Sequence, residues 1–190
     1  SDTATLIAQA RKEVDEIRGL IDDILFLSEL ETGREIVSLG NSMAQPVMQS
    51  VASELKDRTE RAGLTLVINC AEEIVFPMRE RMIRVIVQNL IENAIRYAGP
   101  DTVLELQATC QSDGNTIFTA KDNGVGVPES EIERIFERFY RTDRARSSRG
   151  TGLGLSIAKH IVITAGGEIK AENADQGGLI IQCTFPPIRQ

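Results

Sequence analysis

A chain of 190 residues has room for one domain with a sizeable core and a small appendage. With 42% hydrophobic and 26% charged residues it has the composition of an ordinary soluble globular protein. The net charge of −7 offers no bulk attraction to nucleic acid, so any bound anion must be held by local groups. No apolar run is long enough to span a bilayer, and the N-terminus reads as a charged helical stretch rather than a signal peptide, so no membrane contact is expected from these residues. Cys70, Cys110 and Cys183 each lie in an alternating, strand-like segment. An odd, unclustered set argues against a disulfide framework or a zinc site and reads as three small hydrophobes.

Residues 3–31 read as one long helix. Ile7, Ala10, Val14, Ile17, Ile21 and Ile24 recur at alternating spacings of three and four, a heptad seam of the kind that packs against partner helices. Leu20, Phe26, Leu27 and Leu30 widen the stripe, and Gly33 is a suitable stop. A lone helix cannot bury such a seam, so its partners belong to missing segments or to another copy. Ile36–Leu39 is a short strand candidate. Asn41 or Ser42 is expected to cap a helix to about Ala62, with Pro46 in its first turn and Gly63 ending it.

Leu64–Cys70 and Ile74–Phe76 look like strands. Arg79–Ala98 is a periodic helix with Met82, Val85, Ile86, Leu90 and Ala94 on its apolar side. Val103–Gln111 and Thr116–Lys121 form a hairpin around Ser112–Asn115. A helix follows Pro128, and then a polar loop, Arg141–Arg149, expected to be mobile without a ligand. Leu153–Thr164 is helical, and Glu168–Glu172 and Leu179–Phe185 close the chain as paired strands. Because the late strands run as hairpins, an α+β two-layer sandwich fits better than a doubly wound parallel sheet: a mixed, mostly antiparallel sheet with helices on one face, preceded by a coiled-coil-like helix.

Three segments carry chemistry. Asp122-Asn123-Gly124-Val125-Gly126-Val127-Pro128 follows a strand, where a carboxylate can accept a hydrogen bond and the glycines admit a flat ring close to the backbone; alone it could equally be a turn. Gly150-Thr151-Gly152-Leu153-Gly154-Leu155 opens a helix, whose backbone N–H groups attract phosphate; the plainer reading is a hinge. Neither matches GxxxxGK[ST] or GxGxxG. On the helix before them, Asn89, Asn93 and Arg96 stand at i, i+4 and i+7 on one face. Amide oxygens are hard ligands suited to Mg²⁺, and arginine suits phosphate.

In this order the three segments resemble the asparagine box and two glycine boxes of the histidine-kinase branch of the Bergerat-fold ATPases. Ile135-Phe136-Glu137-Arg138-Phe139-Tyr140-Arg141 resembles that branch's phenylalanine box. Residues 3–33, ending Leu30-Glu31-Thr32-Gly33, resemble the second helix of the kinase dimerisation hairpin. The resemblance covers essentially the whole chain and implies two parts, that helix at 1–33 and an ATP-binding catalytic domain at 34–190.

It also implies roles. Asp122 would accept the adenine amino group, with Gly124 and Gly126 giving the ring room. Asn93 would coordinate Mg²⁺ with help from Asn89, and Arg96 and Tyr97 would face phosphates and sugar. Arg138 and Arg141 would start a lid, and Gly150, Thr151, Gly152, Leu153 and Gly154 would close on the triphosphate. Five arginines between positions 138 and 149 form a local anion trap, with Arg144, Arg146 and Arg149 given no individual role.

The sequence departs from the family at three places. Arg96 stands where lysine is usual, Ala165 where a histidine often precedes Gly166-Gly167, and Leu179 where threonine or serine is frequent. These put in doubt the Arg96 contact and any polar contact from position 179.

The phosphoacceptor histidine of such kinases lies on the first dimerisation helix. The sole histidine, His160, lies instead on the helix after the second glycine box and reads as structural. The chain is therefore expected to begin after the acceptor helix. The resemblance implies transfer of the γ-phosphate of ATP to a histidine on a separate helix, a homodimeric full protein, onward signalling to a response regulator, and a cytoplasmic domain of a membrane-anchored parent. The competing readings are a nucleotide-responsive switch without phosphotransfer, and an ATP hydrolase of the same superfamily. Against the hydrolase, Asn89 occupies the position where those enzymes typically carry a glutamate base.

Overall fold

The computed structural model describes residues 2–33, 40–142 and 150–188. Helix α1 runs over Asp2–Glu31 and ends at Gly33, whose φ of 70° is the left-handed stop expected there. Strand β1 (Ser42–Met43), helices α2 (Ala44–Glu54) and α3 (Lys56–Arg61), and strands β2 (Leu64–Cys70) and β3 (Val75–Phe76) follow. Helix α4 (Glu80–Tyr97) leads to the hairpin β4 (Thr102–Cys110) and β5 (Thr116–Asp122). A 3₁₀ helix (Glu129–Phe136), α5 (Gly154–Thr164), β6 (Glu168–Asn173) and β7 (Leu179–Phe185) complete the described chain. The strand candidate Ile36–Leu39 lies outside the described residues, as does most of the loop Arg141–Arg149.

Five strands form one sheet in the order β2-β4-β5-β7-β6, while β1 and β3 pair separately. Only the β2–β4 pair of that sheet is parallel. Parallel neighbours cannot be joined by a tight turn, and the connection between these two carries β3 and α4. Alternation sorts the two faces. Leu104, Leu106 and Ala108 of β4, Phe118 and Ala120 of β5, and Leu179, Ile181, Cys183 and Phe185 of β7 point inward and are buried. The helices cover that face with Val47, Met48 and Val51 of α2, Ile83, Ile86, Leu90 and Ile91 of α4, and Ile157, Ile161 and Val162 of α5. The opposite face is polar or mixed, and Glu105 and Lys121 stand opposite each other on it. The result is the expected two-layer sandwich, preceded by a long helix. Phe76 is fully buried between Phe118 and Phe185, edge-on to both at 5.7 and 5.9 Å.

Three expectations need correction. The helix placed from residue 41 or 42 to 62 is two helices broken at Leu55, whose φ and ψ of −94° and 3° are not helical. Ser42 does not cap it. Its hydroxyl donates to the Met78 carbonyl at 3.0 Å, and Ser42 and Met43 are drawn into pairing with Phe76 and Val75. The segment after Pro128 is a 3₁₀ helix. At a rise of about 2 Å per residue it covers more length than an α-helix of the same residues. That suits a segment tied at one end by Val127 to Asn173 and packed into the core at the other by Ile135 and Phe136.

Helix α1 divides in two. Ile7, Val14, Ile17, Ile21 and Ile24 of the heptad seam are exposed, each by 45% or more. Leu27 and Leu30 are buried against the domain. Phe26 lies under the Arg81 guanidinium at 5.6 Å, and Glu31 pairs with Arg138. Among the described residues no helix is long and apolar enough to cross a membrane.

Candidate nucleotide site

The site begins on α4. Its apolar residues face the sheet, and Glu80 in the first turn and Arg96 in the last complement the helix dipole. The stripe Asn89, Asn93, Arg96 and Tyr97 flanks the apolar face and forms one wall of a cavity of about 700 Å³. Glu92 points away: its carboxylate accepts from the Arg58 guanidinium on α3 at 2.6 Å. Neighbours on a helix are rotated by about 100°, which puts Glu92 off the stripe.

The second wall starts at Asp122, the last residue of β5. The residue is 6% exposed, and its Oδ1 accepts backbone hydrogen bonds from Gly124 at 2.8 Å and Leu179 at 3.2 Å. Burial raises its pKa, and those two bonds partly offset the rise. With Oδ1 occupied, Oδ2 is the oxygen left for a donor in the cavity. Two glycines permit this arrangement. A Cβ on Gly124 would stand 2.2 Å from the Ala98 carbonyl oxygen, and one on Gly178 would stand 1.9 Å from the Asp122 carbonyl oxygen. The loop after Asp122 is thus pressed onto the end of α4, and the start of β7 onto the loop. Asn173 at the end of β6 fixes the rest of the loop. Its side chain accepts from Val127 N at 2.9 Å and donates to the Val127 carbonyl at 2.6 Å and to Glu129 at 3.1 Å.

The third wall is the start of α5 with the segment before residue 143. Tyr140, Arg141, Thr142, Gly152, Gly154 and Leu155 line it. A Cβ on Gly154 would lie 2.6 Å from Asn89 Oδ1, so the asparagine stripe and the opening turn of α5 are in close apposition.

Of the residues singled out from the sequence, the fold brings Asn89, Asn93, Arg96, Tyr97, Asp122, Gly126, Arg141, Gly152 and Gly154 to this one cavity. The other five stand outside its walls. Gly124 supports the loop, and Gly150 packs against the Arg96 guanidinium. Leu153 is fully buried in the core, and Arg138 pairs with Glu31. Thr151 donates its hydroxyl to Asp23 of α1 at 3.0 Å and accepts from Leu153 N at 3.2 Å. Asp23 is half-buried. Burial raises its pKa most, the nearby Glu92 adds to the rise, and the Thr151 bond and Arg96 oppose it. His160 lies on α5 away from the cavity walls. Arg144, Arg146 and Arg149 lie outside the described residues.

Sequence reasoning missed Asn173, Glu131 and Asp23. Asn173 and Asp23 are distant in sequence from what they hold, and no local pattern marks them. Glu131 had a signal, as an acid one turn beyond a glycine loop. Leu179 offers the site only apolar surface and its backbone N–H.

The donor set bears on metal binding. Among the described residues no group of three or more His, Cys, Asp or Glu side chains could hold an ion. The carboxamides of Asn89 and Asn93 provide neutral, hard oxygens. They fit Mg²⁺ as a minority of a shell completed by phosphate oxygens and water.

The cavity brings a buried carboxylate together with two amides, an arginine and the start of a helix, a donor and acceptor set suited to a nucleotide. Residues 78–189 match the family model "Histidine kinase-, DNA gyrase B-, and HSP90-like ATPase", and the chain belongs to that family. Its ATPase domain is of the kind found in the histidine kinases of two-component sensors. It is 32% identical over 187 residues to the signal transduction histidine-protein kinase BaeS of Escherichia coli, covering 97% of this chain and 40% of that protein. It is 33% identical over 188 residues to the adaptive-response sensory kinase SasA of Rippkaea orientalis, covering 97% of this chain and 47% of that one. The chain thus spans less than half the length of these relatives. In fold it matches the Acinetobacter baumannii histidine kinase AdeS with a TM-score of 0.78, at 22% identity, over 96% of this chain and 84% of that one. Full-length ShkA in complex with AMPPNP matches at a TM-score of 0.80 and 22% identity, over all of this chain and 40% of that one.

Proposed function

We propose that this domain binds Mg·ATP and presents the γ-phosphate to a histidine on a separate dimerisation helix, for onward transfer to a response-regulator aspartate. The observation that carries the reading is the convergence of Asp122 with Asn89, Asn93 and Arg96 on a single cavity. Asp122 Oδ2 accepts the adenine amino group, the only hydrogen-bond donor of the base's Watson–Crick edge. Tyr97 and Leu179 supply apolar surface, while Arg96, Arg141 and the start of α5 neutralise the phosphates. Asn93, with Asn89, would hold Mg²⁺, which supplies charge neutralisation at the phosphates. The protein's part is positioning and electrostatics, with little covalent chemistry of its own.

Residues 1–33 are proposed as the second helix of a dimerisation hairpin, whose exposed seam packs against its own first helix and a second copy. Residues 34–190 are proposed as the catalytic domain. The parent is proposed to be a membrane-anchored sensor with this domain on the cytoplasmic side. The alternative of an ATP hydrolase is disfavoured by Glu92, the acid nearest the asparagine stripe in sequence, which is turned to Arg58 rather than toward the cavity.

The test is to incubate the chain with γ-labelled ATP, alone and with a separately supplied acceptor hairpin. Acid-labile phosphate should appear only on the hairpin. Labelling of His160, or phosphate release that disappears in Glu92→Gln, overturns the reading. Nucleotide binding without any transfer to hairpins of this kinase type favours the switch.

A further inference from the structure

One wall of the cavity contains an unanswered acceptor. Glu131, on the 3₁₀ helix, lines the cavity, and its Oε2 is shielded from solvent without a hydrogen-bond partner among the described residues. A carboxylate has acceptor capacity only, and a buried oxygen without a donor is costly. The neighbouring cation on the same helix does not answer it, because Arg134 pairs with Glu137 and lies over the Tyr140 ring. Nor is the side chain on loose backbone. Asn173 holds Val127 and Glu129 through three hydrogen bonds, and Glu131 N donates to the Pro128 carbonyl at 2.8 Å. The acceptor is therefore carried on a fixed support and meets no donor among the described residues.

We propose that Glu131 accepts a hydrogen bond from a ribose hydroxyl of the nucleotide, making the site selective for ribonucleotides over their deoxy counterparts. This rests on the nucleotide reading given above. A nucleoside triphosphate offers two kinds of donor, the base amino group and the sugar hydroxyls. Its phosphates are acceptors and anions, which a carboxylate repels. The amino group is taken by Asp122 at the end of β5, and the phosphates by the arginines, amides and helix start. Glu131 belongs to neither group: it follows the loop that leaves Asp122, beside Val127, Pro128 and Ile135 of the same wall. The sugar hydroxyls are the donors that remain. A charge-assisted bond of this type adds about a factor of ten in affinity.

Calorimetric titration of the chain with ATP, 2′-deoxyATP and 3′-deoxyATP tests the proposal. The parent should bind ATP about tenfold more tightly than at least one deoxy form. Glu131→Ala and the bulkier Glu131→Met, each confirmed as folded by its thermal transition, should bind all three alike. Glu131→Gln keeps an acceptor and should retain a preference. Failure of ATP itself to bind the parent sinks the nucleotide reading. ATP binding without a preference, or a preference that survives in whichever of the Ala and Met variants folds, overturns the role of Glu131 and leaves the nucleotide reading standing.

Discussion

Asp122 combines burial with two backbone hydrogen bonds on one oxygen, and this has measurable consequences. Under the proposed reading, Asp122→Ala removes the acceptor of the base amino group. Affinity for an ATP analogue should fall at least about tenfold, or 1.4 kcal/mol, by calorimetry on folded protein. The pH dependence has a definite sign. Burial disfavours the charged form, so the carboxyl takes up its proton at a pH above the ordinary 3.8. Analogue affinity should therefore weaken on acidification before an exposed carboxylate titrates, and Asp122→Asn should lack that dependence. The same shift opposes folding: its cost is absent below 3.8 and complete above the raised value, so this group lowers stability as pH rises between the two. Gly124 is the second residue-scale test. Its added Cβ would meet backbone rather than a movable side chain, so Gly124→Ala should cost about 1–3 kcal/mol in denaturant unfolding and also weaken analogue binding.

At the scale of elements, α1 sets two requirements against each other. Its last turns dock on the domain through Leu27, Leu30, the Arg81–Phe26 contact and the Glu31–Arg138 pair. The preceding turns carry an exposed apolar seam, which a single helix in water does not retain without a partner. The parent chain should self-associate in sedimentation, and Ile17→Lys combined with Ile21→Lys should make it monomeric. Because both side chains are exposed in the isolated chain, the domain's unfolding free energy should change by no more than about 0.5 kcal/mol. Asp23, one turn before the docked residues, joins this helix to Thr151 of the second glycine segment.

For the whole molecule, one core spans the sheet and the helices over it, and Phe76 sits where a short outlying strand plugs into that core. Phe76→Ala should cost about 3–5 kcal/mol in denaturant unfolding, because the packed rings of Phe118 and Phe185 leave little room for collapse. Saturating nucleotide should restore part of the lost thermal stability, since a ligand that binds only the folded state adds RT ln(1 + [L]/Kd).

The sequence by itself determined the long elements and the residue types of the site. Period-two alternation in β4, β5 and β7 and the periodicity of α1 and α4 are local properties, because burial on one face repeats with the geometry of the element. The stripe Asn89, Asn93 and Arg96 was legible for the same reason. Only the tertiary structure decided which of two uses a polar group served. Ser42 could cap a helix or bond to Met78, and β3 drew it to the second. Arg138 could face an anion or Glu31, and the docking of α1 gave it the carboxylate. The same docking gives the Thr151 hydroxyl the Asp23 carboxylate as its acceptor. Asn173 acquired its place from folding that joins segments far apart in sequence, and hydrogen bonds across such distances leave no periodic trace in the chain.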